Sequence, residues 1–89
     1  MRYLLITYLK KPGGQIDEQV GFANKVKSRD IATCNVIMDF KEQKVMKCVV
    51  DGAVVPTSYE KLHEYYGRVY PNVVEQLQLA NDPRFDEKK

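Results

Sequence analysis

The chain has 89 residues, 44% of them hydrophobic and 29% charged, with a formal net charge of +2. That describes one small soluble domain and leaves no room for a second, since a chain this size buries only a little over ~60% of its unfolded surface. The longest apolar run, Tyr3 to Leu9 with Thr7 inside it, is far short of the ~20 residues of a membrane span. No long apolar stretch with a small-residue cleavage site follows Arg2, which argues against a secretory signal and for the cytosol.

Residues 1–11 alternate imperfectly, with Tyr3, Leu5 and Leu9 on one side and Leu4, Ile6 and Tyr8 on the other, which predicts a strand apolar on both faces. Pro12, Gly13 and Gly14 make a turn, because Pro fixes one φ and Gly allows positive φ. Over residues 16–26 the even positions Ile16, Val20, Phe22 and Val26 are apolar, while the odd positions Asp17, Gln19 and Lys25 are polar, a period of two that favours a strand. A helix competes there, since Ile16, Val20 and Ala23 also fall at helical spacing, but Gly21 would weaken a short helix by ~1 kcal/mol.

Ser28 to Asp30 reads as a polar break. Thr33 to Phe40 and Val45 to Val50 then form a second hairpin around Lys41 to Lys44. Setting the face of Val36, Met38 and Phe40 against Met46, Cys48 and Val50 requires a three- or five-residue loop. Asp51-Gly52 makes another turn, with a short extension of the sheet at Ala53 to Val55. Thr57 with Glu60 three residues on is a capping-box pattern, placing a helix start near Ser58. Tyr59, Leu62, Tyr66 and Val69 lie on one stripe, Pro71 kinks or stops the helix, and a second piece over residues 72–80 carries Val73, Val74 and Leu77.

The expected architecture is α+β: an antiparallel four-stranded sheet of two hairpins, covered on one face by a C-terminal helix kinked or broken at Pro71, with strand order open. Residues 1–81 form the domain and residues 82–89 a charged, frayed tail.

Most site chemistries find no residues to carry them. Cys34 and Cys48 are too few for a disulfide framework, lack zinc-knuckle spacing and sit diagonally in the expected register, so they read as buried reduced thiols. His63 is the sole histidine and reads as a helix-surface residue with no further metal ligands nearby. Ser58 is better explained by the helix start than as a nucleophile, and Pro12-Gly13-Gly14 lacks the spacing of a phosphate loop. The expectation is a non-enzymatic protein with no cofactor and no metal.

Charge is unevenly placed. Residues 1–50 carry nine Lys or Arg against five Asp or Glu, whereas residues 51–89 carry five against seven. Lys25, Lys27 and Arg29, spaced two apart, form a row on an extended segment that Arg2 joins across the first hairpin. Such a row suits phosphates, or is the solvated face of an edge strand where Lys blocks unwanted pairing. Six tyrosines accompany no tryptophan. Tyr3 and Tyr8 raise the thought of a base-stacking platform, though no RNA-recognition consensus is present. Tyr66 reads as core, while Tyr65 and Tyr70, one position off the helical stripe, are candidates for a protein interface, where Tyr is enriched.

The runs NVIMDFKEQKV at 35–45, VDGAVVP at 50–56 and YYGRVYP at 65–71, with the opening MRYLLITY and PGGQID at 12–17, resemble a family of small proteins encoded by tailed phages, notably phages of marine cyanobacteria. The resemblance spans about residues 1–77 and brings no catalytic residues with it. It implies a setting in an infected bacterial cytoplasm, where small non-enzymatic proteins bind and redirect host machinery. The leading expectation is therefore an accessory protein that binds a host or phage protein through Tyr65 and Tyr70. The alternatives are a nucleic-acid-binding module using Arg2, Lys25, Lys27 and Arg29, and a minor virion component. The small core leaves room for a homodimer through an open edge strand.

Overall fold

A computed structural model describes residues 1–82. The chain order is β1 (Tyr3–Lys10), β2 (Ile16–Ala23), α1 (Ser28–Thr33), β3 (Val36–Asp39), β4 (Lys44–Val50), β5 (Ala53–Val54), α2 (Tyr59–Val69) and α3 (Pro71–Ala80). Five antiparallel strands lie in the order β2-β1-β3-β4-β5. The α+β class, both hairpins and the break at Pro71 are as the sequence implies. The sheet has five strands rather than four, and among the described residues there are three helices. The expected tail falls outside the described residues beyond Asp82, but Asn81 is held, its amide donating to the Met1 carbonyl at 2.9 Å.

Residues 16–26 do form a strand, but only as far as Ala23. Its register with β1 runs unbroken from Lys10↔Ile16 to Tyr3↔Ala23, and the intervening turn rests on Gly13 and Gly14, whose φ values of 93° and 86° suit glycine. What read as a polar break is the start of α1. That six-residue helix has no apolar periodicity to advertise it and is started by Asp30, whose carboxylate accepts from the Lys27 amide at 3.0 Å. It carries the chain across to the far side of β1, where β3 pairs.

The core lies between the sheet and the α2–α3 pair. Leu4 and Ile6 of β1, Val36, Met38 and Phe40 of the β3 segment and Cys48 of β4 meet Tyr66, Val74 and Leu77 of the helices. The second hairpin begins in the expected register, Val36↔Cys48, and then shifts by a bulge between Ile37 and Met38, so that Met38 faces Val45. Val45 thereby takes the inward place expected of Met46. Met46 is 43% exposed and Val50 38% exposed. Ser58 rather than Thr57 caps α2, its hydroxyl accepting from the Lys61 amide at 3.3 Å. Val69 is also off the core, because the turn into Pro71 brings Tyr70 inward in its place. Cys34 and Cys48 are buried free thiols.

Asn35, to which the sequence drew no attention, ties two strands together just before β3 begins. Its side-chain oxygen accepts from the Tyr8 amide at 2.9 Å and its amide donates to the Val49 carbonyl at 3.0 Å. Its own backbone bonds Ile6 and Val49. It joins β1 to β4 where β3 has not yet begun to separate them.

Candidate functional site

The start of α2 brings three rings together beside an open cleft. Pro56 ends the extended segment and Ser58 starts α2, so Tyr59 and His63 stand one helical turn apart on the same face. Both rings reach Phe40 at the end of β3. The Phe40–Tyr59, Phe40–His63 and Tyr59–His63 centroids are each 5.6 Å apart, the first pair edge to face at 77°. His63 is therefore not a plain surface residue but half-buried in a triangle of rings.

Beside this triangle lies a cleft of about 410 Å³ between the β3–β4 turn and the two helices. Glu60 and Glu64, again one turn apart, supply carboxylates to its rim, and Gln43 and Gln78 supply amides. Both glutamates are exposed, and neither forms an ion pair among the described residues. Burial, then the nearby charges of Asp39 and Glu60, push the Tyr59 hydroxyl up to about 12. Aromatic faces next to unpaired carboxylates favour a cation: the rings offer their negative faces and the carboxylates offer charge-assisted hydrogen bonds.

The other end of α2 is closed. The Tyr8 and Tyr66 hydroxyls lie 3.2 Å apart, and Tyr70 donates to the Glu18 carboxylate across the edge of β2. Tyr70 stacks on Tyr66 at 6.1 Å and 20°, and Tyr65 packs edge-on to Tyr66 at 4.9 Å. Of the two tyrosines expected at an interface, Tyr65 is 44% exposed. Tyr70 is half-buried, with its hydroxyl held by Glu18. Burial raises the Tyr66 hydroxyl far above its ordinary value, and burial with the Glu18 carboxylate pushes Tyr70 up to about 12.

The basic row takes a different form from the one expected. Lys25 lies in the bend after β2, Lys27 precedes α1 and Arg29 is in its first turn, so the three do not line one face of a strand. Arg2 does not join them. Its guanidinium clamps Asp39 through two bonds of 2.9 and 2.8 Å and lies 4.9 Å above the Tyr3 ring. Asp39 is 1% exposed and also accepts from the Lys41 and Glu42 amides at 2.9 and 3.2 Å. Burial alone would raise its pKa, but Arg2 and the two amides together hold the carboxyl below its usual range. Tyr3 and Tyr8 point to opposite faces and form no shared platform.

Among the described residues, no three His, Cys, Asp or Glu side chains come together to hold a metal, and no helix is long and apolar enough to cross a membrane. The fold and the cleft define a small α+β domain with an acidic, aromatic-walled surface site. No protein-family model, no curated protein and no solved structure matches the chain.

Proposed function

We propose that this chain acts by stoichiometric binding to another protein, taking a basic side chain of that protein into the cleft beside Phe40, Tyr59 and His63. The observation that carries this reading is the pairing of a three-ring wall with the carboxylates of Glu60 and Glu64, which form no ion pair among the described residues. A Lys or Arg head would sit over the rings while its stem covers the half-buried aromatic edges, and Arg would gain most from its planar fork. Tyr65 is exposed farther along the same helix, but at ~3.6 residues per turn it points roughly 150° away from the mean direction of Glu60, His63 and Glu64 and does not line the cleft. The phage resemblance supplies the setting: an accessory protein that binds a bacterial host protein or another phage protein in the host cytoplasm.

The test is capture from bacterial lysate with the tagged full chain, with and without nuclease, read by mass spectrometry. One dominant protein that survives nuclease and is lost from the Glu60→Gln/Glu64→Gln double variant is the expected result. Retention of that protein by the double variant, with its fold intact by circular dichroism, would overturn the cleft as the binding site.

A second reading has its own observation. Lys25, Lys27 and Arg29 are exposed, clustered at the β2–α1 junction and free of ion pairs among the described residues. They supply the positive charges of a nucleic-acid contact, and binding to DNA or RNA that weakens steeply with salt would favour it over the cleft.

A further inference from the structure

The two edges of the sheet are built differently. Along β4 the free side is blunted: β5 pairs with Val49 and Val50, Val55 bonds the Cys48 carbonyl, and the rest carries Lys44, Lys47 and the bulge beside Met46. These are the usual devices against edge-to-edge pairing. The β2 edge is less protected, its only charges being Asp17 and a Glu18 turned inward onto Tyr70. It holds no Pro, no Lys and no bulge over eight residues, and no described strand pairs with its outer side. It also carries two exposed apolar side chains near its ends, Ile16 at 59% and Phe22 at 40% exposure.

We infer that this edge is the seat of a two-fold homodimer in which β2 of one protomer pairs antiparallel with β2 of its partner, centred on Gln19. The register follows from hydrogen bonding and charge. The Lys11 amide bonds the Gln15 carbonyl, and the hairpin then stays in step, so odd-numbered residues of β2 turn their peptide groups toward β1. Ile16, Glu18, Val20 and Phe22 therefore turn theirs outward, and only registers that pair even with even satisfy both protomers. Centring on Gln19 sets Ile16 opposite Phe22 and Glu18 opposite Val20, each twice, for about eight hydrogen bonds. Centring on Glu18 sets two carboxylates face to face and drops two of those bonds. Centring on Val20 also drops two and sets Glu18 against Phe22.

The Gln19 register thus joins the exposed apolar residues and puts no like charges directly opposite each other. Each Glu18 carboxylate is already turned onto Tyr70 of its own chain. The product is one continuous ten-stranded sheet, with both helix pairs on the same face.

Sedimentation of the full chain over a range of concentrations tests the assembly, and a cysteine cross-link tests the register. Gln19 faces its own copy at a non-hydrogen-bonded pair, with Cα atoms ~4.5 Å apart, close enough for a disulfide. Asp17 lies four residues from its copy, ~13 Å along the strand. The expected result is a monomer–dimer equilibrium and rapid cross-linking of Gln19→Cys under mild oxidation, with Asp17→Cys remaining uncross-linked. The Ile16→Lys/Phe22→Lys variant changes only exposed side chains and is expected to remain folded and monomeric. A monomer at every soluble concentration, a dimer that persists in the double-lysine variant, or equal cross-linking at both cysteine positions would each overturn the proposal.

Discussion

Helix α2 carries an aromatic cluster at each end, and the two ends differ in whether their polar groups find partners inside the molecule. At the C-terminal end, Tyr8, Tyr66, Tyr70 and Glu18 satisfy one another by hydrogen bonds and ring contacts. At the N-terminal end, the rings of Phe40, Tyr59 and His63 are just as close, yet the neighbouring Glu60 and Glu64 line a cleft and form no ion pair among the described residues. Aromatic richness alone does not mark a binding site. What separates a structural cluster from a candidate site is unsatisfied charge beside it.

The sharpest way to break the comparison is to remove one ring from each end. Tyr66 is 1% exposed at the centre of the core, and Tyr66→Ala is expected to cost ~3–5 kcal/mol in urea unfolding, enough to leave a domain this small largely unfolded. His63→Ala takes away a half-buried ring at the cleft and is expected to cost ~1 kcal/mol or less while abolishing capture of the bound protein. Equal losses of stability from the two variants would show that the cleft end is as structural as the tyrosine end.

Between these lies Asp39, on the sheet beneath the cleft end. Asp39→Ala strips the carboxylate from Arg2 and from the Lys41 and Glu42 amides, and is expected to cost ~2–3 kcal/mol. In the folded protein this carboxyl titrates below its unfolded counterpart at ~3.9, so its contribution is complete above that value and is lost as pH falls through the folded value. Acid unfolding of the wild type should steepen in that range, and Asp39→Asn should flatten it. An unchanged acid limb in Asp39→Asn would sever the link between this ion pair and stability.

Much of the fold was legible because hydrophobic period and turn chemistry agree in the elements concerned. The alternation around Val20 and Phe22, the glycine turn at Gly13-Gly14 and the break before Pro71 each rest on local rules that the packing respects. The bulge in β4 was not legible, since Met46 and Val45 are both apolar and only the packed sheet decides which turns inward. Helix α1 was hidden because six residues are too few to show a period. The candidate site was legible only in part. Tyr65 and Tyr70 stand out by composition, but the tie of Tyr70 to Glu18 spans 52 positions. Phe40 meets Tyr59 and His63 only after the sheet has formed. The one signal available in advance was the spacing of Tyr59, Glu60, His63 and Glu64, which puts two aromatic rings and two carboxylates on adjacent faces of one helix.

The smallest expected effect distinguishes the two ends by pH. Tyrosine hydroxyls raised by burial favour the neutral form in the folded protein, so their contribution is complete below the unfolded value of ~10 and is lost as pH rises through the folded values. Tyr59 and Tyr70 are both pushed up to about 12 and Tyr66 is raised further, which places the window of falling stability above ~pH 10. Burial, the first cause for all three, acts at both ends, but at the tyrosine end the Tyr66 hydroxyl is also hydrogen-bonded to Tyr8, which raises it further, and the Tyr70 hydroxyl donates to a carboxylate, a bond that ionisation must break. Denaturation followed against pH should therefore show a shallower alkaline fall in Tyr66→Phe than in Tyr59→Phe. If Tyr59→Phe gave the shallower fall instead, the cleft end would be the more tightly closed of the two, and the case for it as the open, binding end would fail on the molecule's own proton balance.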